Sequence, residues 1–223
     1  MKAVTQISLR EQAGQIIRAG ILAGELRAGE IYSAGSLAER LGVSPTPVRE
    51  AMLDLASGGL VEPLRNRGFR VLTPDEADLD EISELRVMLE VPAMRAVAER
   101  ASDVQLAALA DVVAEIESAA EAGDVARFLL SDRKFHLGLL ELHGNGRLMR
   151  LVAQLRDQTR LAGITELARE GNLAASAREH RDILESLRAR DADRAEALMR
   201  AHLIHTRGIW AGRAEQAEPA AAG

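Results

Sequence analysis

The stretch Ser36-Leu37-Ala38-Glu39-Arg40-Leu41-Gly42-Val43-Ser44-Pro45-Thr46-Pro47-Val48-Arg49-Glu50-Ala51 decides the fold of the first third of the chain. Ser36 followed three residues later by Glu39 reads as a capping box, with the hydroxyl accepting from the third helical amide and the carboxylate reaching back. The helix it opens is short, Ser36 to Leu41, because Gly42-Val43 makes a tight turn. A further helix begins near Ser44 and continues to Ala56, where Ser57-Gly58-Gly59 ends it. Pro45 and Pro47 fall in its first turn, where backbone amides lack intrahelical partners, so two prolines are tolerated and stiffen the segment.

Upstream, Ser8-Leu9-Arg10-Glu11 is a second capping box, opening a helix over Ser8 to Ala23 with Ile16, Ile17, Ile21 and Leu22 on one face. Downstream lie two short strands, Leu60 to Pro63 and Gly68 to Leu72, joined by the basic tip Leu64-Arg65-Asn66-Arg67. Helix, short helix, turn, helix and hairpin is the order of a winged helix-turn-helix, whose recognition helix enters the DNA major groove by its N-terminal end. Thr46 and Arg49 then point at DNA, while Ser44 and exposed amides serve phosphate oxygens. Arg65, Arg67 and Arg70 on the wing suit phosphates or the minor groove. The same pattern also fits an ordinary helical hairpin with a solvated basic loop.

From Thr73 onward the pattern predicts helices only, over 74–100, 103–121, 124–142, 145–168, 172–189 and 191–212. Thr73-Pro74-Asp75-Glu76 and Ser102-Asp103-Val104-Gln105 read as capping boxes, the first with Pro74 at the first helical position. The expected fold is mainly α: a winged helix-turn-helix of three helices and a hairpin over 1–72, then an all-α six-helix bundle over 73–214. Residues 215–223 are expected to be a disordered tail.

Bulk properties agree with this division. The net charge is -6, yet the chain through Leu72 carries nine Lys/Arg against seven Asp/Glu, and the remainder 19 against 27. A mildly basic head on an acidic body fits a double-stranded DNA reader with a separate regulatory part. The 2% aromatic content and Ala/Leu/Val/Ile-rich apolar fraction suit helix-on-helix packing. No apolar run approaches the ~20 residues of a membrane span and the N-terminus lacks a signal peptide's apolar core, so a cytoplasmic protein without membrane contact is expected.

With no cysteine, disulfides and thiolate sites are excluded, and a metal would be held by imidazole and carboxylate. Asp132 and His136 are four apart on one helix, hence one turn apart on one face. With His180 and His202 from two further helices they can converge inside a bundle on a divalent cation such as Zn²⁺, Ni²⁺ or Mn²⁺. Hydrogen-bonded core histidines and a surface Asp–His ion pair are the plainer alternatives. His143 beside Gly144 reads as a helix end meeting free carbonyls, and Asn145 as a helix cap; His205 is open between the cavity and solvent.

The head, from Ile21-Leu22-Ala23-Gly24-Glu25-Leu26 through Leu37 to Ala51, Gly59-Leu60-Val61 and Asn66-Arg67-Gly68-Phe69-Arg70-Val71, closely resembles the GntR family of bacterial regulators over residues 9–72. One departure is Pro45, where the family often has an operator-contacting Arg; Arg49 and the wing then carry more of the readout, with Arg40 adding a backbone contact. Asp132-Arg133-Lys134-Phe135-His136, Glu179-His180-Arg181-Asp182-Ile183-Leu184 and His202 resemble the C-terminal FCD domain of FadR-type GntR regulators, as does Glu84-Leu85-Arg86-Val87-Met88-Leu89-Glu90. Six helices suggest the VanR-like branch. The resemblance implies a metal on Asp132, His136, His180 and His202 at the floor of an effector cavity, and a small organic acid anchored by Arg86, Arg133 or Arg156, with Arg160 one turn from Arg156. The expected protein is a homodimeric, ligand-responsive repressor and not an enzyme. A regulator whose signal is the cation itself, or a metal-dependent hydrolase, are the alternatives.

Overall fold

A computed structural model of the chain describes residues 7–169 and 173–210, and the side-chain surroundings of all of these except 160–169 and 209–210. The tail over 215–223, the break at Gly171 and the Arg160 side chain therefore lie outside the described residues. The chain divides into two units, 1–74 and 75–223.

The first unit contains α1 (Leu9–Leu22), β1 (Ile31–Tyr32), α2 (Ala34–Leu41), α3 (Pro45–Ser57), β2 (Val61–Leu64) and β3 (Gly68–Val71). Ser8 and Glu11 form the reciprocal capping box of α1. The inward face of α1 is Ala13, Ile17, Gly20 and Ile21, whereas Ile16 is 56% exposed, one position off the stripe assigned to it. A second difference concerns α2. Ser33, not Ser36, is its N-cap, accepting from the Ser36 amide at 3.0 Å, so the helix starts earlier than the Ser36–Glu39 box implies. Gly42 in the left-handed conformation (φ 67°) then ends α2, and α3 begins at once.

The wing is more than a hairpin. β3 lies between β1 and β2, antiparallel to both, so a two-residue strand from the loop before α2 joins the sheet. Two residues are too few to leave a period-two signature in sequence. Gly68 makes this closure possible: its φ is 119°, and a Cβ there would lie 2.5 Å from the Tyr32 carbonyl oxygen. Glu62 and Arg70 are directly opposed across β2 and β3 and form an ion pair at 2.7 Å. Val48, Ala51, Met52, Leu55, Leu60, Val61, Phe69 and Val71 form the core beneath α1 and α2.

The second unit is all helical among the described residues: α4 (Glu76–Arg100), α5 (Asp103–Glu121), α6 (Val125–His143), α7 (Gly146–Arg169), α8 (Leu173–Arg188) and α9 (Ala192–Trp210). Ser102 and Gln105 cap α5 as the sequence suggests. For α4 the cap is Asp75, reciprocated by Asp78, so Thr73 and Pro74 precede the helix. Asp–Asp capping replaces the hydroxyl–carboxylate box because an aspartate accepts a helical N–H as well as a serine does. α4 packs on α9, α6 and α7, and α5 packs on α6 and α8. The core runs through Met94, Val97, Leu106, Ile116, Phe135, Leu139, Ile183, Leu187 and Met199. Arg207 near the end of α9 is buried and bonds Asp80 at 2.8 Å and the Glu76 carboxylate at 2.8 Å, fastening α9 to the first turns of α4.

Substituting Gly68→Ala should cost about 1–3 kcal/mol of stability, the order expected for a forced unfavourable backbone conformation. Denaturant titration of the purified variant checks this; an unchanged midpoint would show that the Tyr32–Gly68 approach is not constraining.

Candidate metal centre and nucleic-acid interface

Four exposed arginines of the first unit fall on α2, α3 and the turn between β2 and β3. Arg40 ends α2, and Arg49 lies one turn inside α3, exposed with Thr46 on its outer surface. Ser44 is the N-cap of α3 but makes no side-chain cap bond, so its hydroxyl is not used by the helix. Of the first three residues of α3 only Thr46 carries an N–H, because Pro45 and Pro47 have none. The supply of free amides for phosphate is thus thinner than the sequence reading assumed. Arg65 and Arg67 are exposed on the turn between β2 and β3, with Asn66 left-handed (φ 59°) between them. Arg70 differs from them, being half-buried and ion-paired to Glu62. A phosphate there must compete with a carboxylate already in place.

In the second unit, α6 places Asp132 and His136 one turn apart, α8 supplies His180 and α9 supplies His202. All four are buried, and one ligand atom from each falls within 4.8 Å of the others. The Nε2 of His180 is 3.1 Å from Asp132 Oδ1, and the Nε2 atoms of His136 and His202 are 3.1 Å apart. Phe135 sets its edge against both the His136 and His180 rings, and the His136 and His202 rings stack with centroids 5.1 Å apart.

Tautomers follow from the other ring nitrogens. His180 Nδ1 lies 2.7 Å from the Ser176 carbonyl, which only accepts, so this nitrogen carries the proton. His136 Nδ1 donates to Glu90 Oε2 at 2.9 Å, and His202 Nδ1 to Glu179 Oε2 at 2.7 Å. Both carboxylates are ionised. Burial pushes Glu90 up, but the Arg86 and Arg156 guanidiniums, with His136, outweigh it and hold it well below the usual range. Burial likewise opposes ionisation of Glu179, and the hydrogen bonds from His202 and His205 reverse it.

The Nε2 atoms of His136 and His202 therefore present lone pairs to each other. Protonation is a poor escape. Burial, then the charge of Arg156, pushes His136 well below its ordinary pKa, and burial with His180 lowers His202 to about 4. Three imidazole Nε2 atoms and a carboxylate oxygen gathered at one point are the donor set a divalent cation with N/O preference requires. The residues fit such an ion.

A buried charge network surrounds this set. Arg86 Nε bonds Glu90 Oε1 at 2.7 Å, and Arg156 Nη1 lies 3.2 Å from Glu90 Oε2 while its Nη2 bonds Asp132 Oδ2. Arg156 thereby occupies the Asp132 oxygen that the histidines do not, leaving Oδ1 for an ion. Arg156 Nε has no hydrogen-bond partner among the described residues. Arg133 is elsewhere, on the buried Asp157 at 2.9 Å, at the edge of an open groove of about 570 Å³ lined by Leu109, Leu130, Leu137 and Met149.

Glu90 and Glu179 were missed by sequence reasoning, although both stand in quoted segments. The available signals were Glu90 one turn from Arg86 amid apolar residues, and Glu179 preceding His180. His205, left open by its spacing, bonds Glu179 Oε1 at 2.5 Å. Asn145 caps α7, accepting from the Arg147 and Leu148 amides at 3.1 and 3.2 Å. His143 Nδ1 has no partner among the described residues, so the carbonyl contact anticipated at this helix end is not made through that nitrogen.

A winged helix-turn-helix with exposed arginines, followed by a helical unit with a buried Asp/His₃ cluster, is the architecture of a DNA-binding regulator with a second, helical domain. Comparison with known proteins places it further. Residues 9–71 match the gntR family of bacterial regulatory proteins and residues 81–205 match the FCD domain. The chain belongs to the gntR family of transcriptional regulators and carries an FCD domain. It is 31% identical over 179 residues to the Nta operon transcriptional regulator of Aminobacter aminovorans, covering 79% of this chain and 82% of that one. It is also 31% identical over 185 residues to the transcriptional repressor NanR of Salmonella newport, covering 73% and 70%. The solved structure of Escherichia coli McbR superposes with a TM-score of 0.85 at 25% identity, covering 93% of this chain and 99% of that chain.

Zn²⁺ or Mn²⁺ added at about 100 times its Kd should stabilise the protein by about 2.7 kcal/mol through mass action. In Asp132→Asn, thermal-melt titrations should show most of that gain gone. An equal gain in the variant would place the ion elsewhere.

Proposed function

We propose that this protein is a ligand-responsive repressor that leaves its operator when a small organic acid binds beside a divalent metal held by Asp132, His136, His180 and His202. The observation that carries the reading is the convergence of acceptor atoms just described: Asp132 Oδ1 and the three Nε2 atoms. A resident cation supplies a fixed positive centre able to take one further anionic oxygen. The protein groups around it are Asp132, Glu90 and Glu179 against Arg86 and Arg156, a net single negative charge. A divalent ion turns that into a net positive one, which favours a carboxylate ligand over a neutral molecule.

Among the proposed effector anchors Arg156 is best placed, since it touches Asp132 and keeps its Nε without a partner among the described residues. Arg86 acts beside it through the shared Glu90, and Arg133 bounds the outer groove. DNA readout is assigned to Arg49 and Thr46 for bases, with Ser44, Arg40, Arg65 and Arg67 on the backbone and Arg70 contributing only if it leaves Glu62. A homodimer on a near-palindromic operator is the assembly this motif commonly uses. The six body helices favour the VanR-like branch. A repressor role accords with the printed name of the NanR relative.

Two outcomes check this. Arg49→Ala should weaken specific operator binding about 5- to 150-fold in a gel-shift titration, the equivalent of about 1–3 kcal/mol for a bidentate guanine contact; unchanged affinity would remove Arg49 from the readout. In a panel of small carboxylic acids, release of DNA should require both acid and metal. Release by chelator alone, with no acid effective, would make the cation itself the signal.

A further inference from the structure

Among the described residues, Glu179 has contacts unlike those of the other half-buried acidic side chains. Its two oxygens accept from two imidazole nitrogens, His202 Nδ1 at 2.7 Å and His205 Nδ1 at 2.5 Å, on the neighbouring helix α9. Other carboxylates drawn from solvent, such as the buried Asp157 with Arg133 and the partly buried Glu117 with Arg181, face guanidiniums. Glu179 stands one residue before His180 on α8, so one turn of backbone supplies both a candidate ligand and the acceptor that holds a second.

The three candidate imidazoles differ in what orients them. His180 needs no side chain, because its Nδ1–H reaches the Ser176 carbonyl of its own helix. His136 relies on Glu90, and His202 relies on Glu179. A neutral imidazole has one N–H and one lone pair, and the nitrogen that donates decides which nitrogen can coordinate. Without an acceptor at Nδ1, the His202 ring is free to carry its proton on Nε2, where it would face the lone pair of His136 3.1 Å away and close the site to a cation. A carboxylate acceptor also makes the opposite nitrogen a better donor to metal.

We infer that Glu179 is a positioning residue of the metal centre, fixing His202 in the Nδ1–H tautomer and strengthening its Nε2 as a ligand, as Glu90 does for His136. This rests on the metal-binding reading given above. Glu90 is the harder one to test, because removing its charge would also strip Arg86 and Arg156 of a buried partner. Glu179 is 30% exposed in its side chain and its ion-pair partners are imidazoles, so its replacement strips no guanidinium of a partner.

The test uses the full chain and Zn²⁺ as probe, with affinity read by competition against a chromophoric chelator and tautomers by long-range ¹H–¹⁵N spectra of the histidine rings. Glu179→Gln keeps an acceptor but loses the charge, and should weaken Zn²⁺ binding about 10-fold while His202 remains Nδ1-protonated. Glu179→Leu removes the acceptor and should weaken binding about 100-fold, with Nε2-protonated His202 appearing in the metal-free protein. Glu185→Gln, on the exposed Arg188 pair of the same helix, should change neither readout. Wild-type Zn²⁺ affinity and tautomer in Glu179→Leu would overturn the positioning role and leave the metal centre standing. Failure of the wild-type chain to bind Zn²⁺, Ni²⁺ or Mn²⁺ would overturn the metal reading and this inference with it. Should the Leu variant not fold, the Gln variant decides, since a purely structural glutamate predicts no change in its Zn²⁺ affinity.

Discussion

Like atoms facing like dominate the centre of the helical unit. Two Nε2 atoms 3.1 Å apart, each belonging to a ring whose other nitrogen is committed as a donor, repel unless something positive lies between them. His180 Nε2 and Asp132 Oδ1 complete the cluster 3.1 Å from one another. Burial opposes the cheap remedy of protonating His136 or His202, because a charged imidazole there loses more solvation than its neighbours restore. The packing that creates the conflict is extensive. Phe135, Phe128 and the stacked rings hold the imidazoles so that side-chain rotation does not relieve it. On the proposed reading, a divalent cation between these atoms resolves the conflict.

The guanidiniums take their meaning from that constraint. Arg86 and Arg156 are the kind of residue that would anchor an acid, yet both are already engaged by Glu90, and Arg156 by Asp132 as well. Their charges are balanced by carboxylates of the protein, so the network tolerates burial. In the proposed reading an incoming anion would meet a net charge set by the ion, with the arginines adding direction. α4 carries Arg86 and Glu90 along a helix whose first turns are held by Arg207 and whose N-cap, Asp75, comes four residues after the last strand of the winged unit. The buried charge network and the chain leading out of the winged unit thus share one helix.

Much of this was legible in sequence, for reasons that differ by element. Capping boxes at Ser8 and Ser102 use hydroxyl and carboxylate at a fixed spacing, and local hydrogen bonding makes them reliable. The box at Ser36 failed because Ser33 offers the same chemistry three residues earlier, and the one at Thr73 because Asp75 can cap as well. β1 was invisible because its pairing with β3 depends on a distant glycine, not on any pattern within Ile31–Tyr32. Ile16 was assigned to the wrong face by a single position. The His and Asp set was readable as spacing plus resemblance. Glu90 and Glu179 were not, since an acidic residue on a helix is ordinarily solvated and only the tertiary fold turns these two toward imidazoles.

X-ray absorption spectroscopy of the protein loaded with one equivalent of Zn²⁺ tests the central claim most directly. The account predicts a first shell dominated by imidazole nitrogen at about 2.0–2.1 Å, with multiple-scattering features of three histidines and one carboxylate oxygen at about 2.0–2.2 Å. A shell of oxygen alone, or the histidine signature of fewer than two rings, would contradict it.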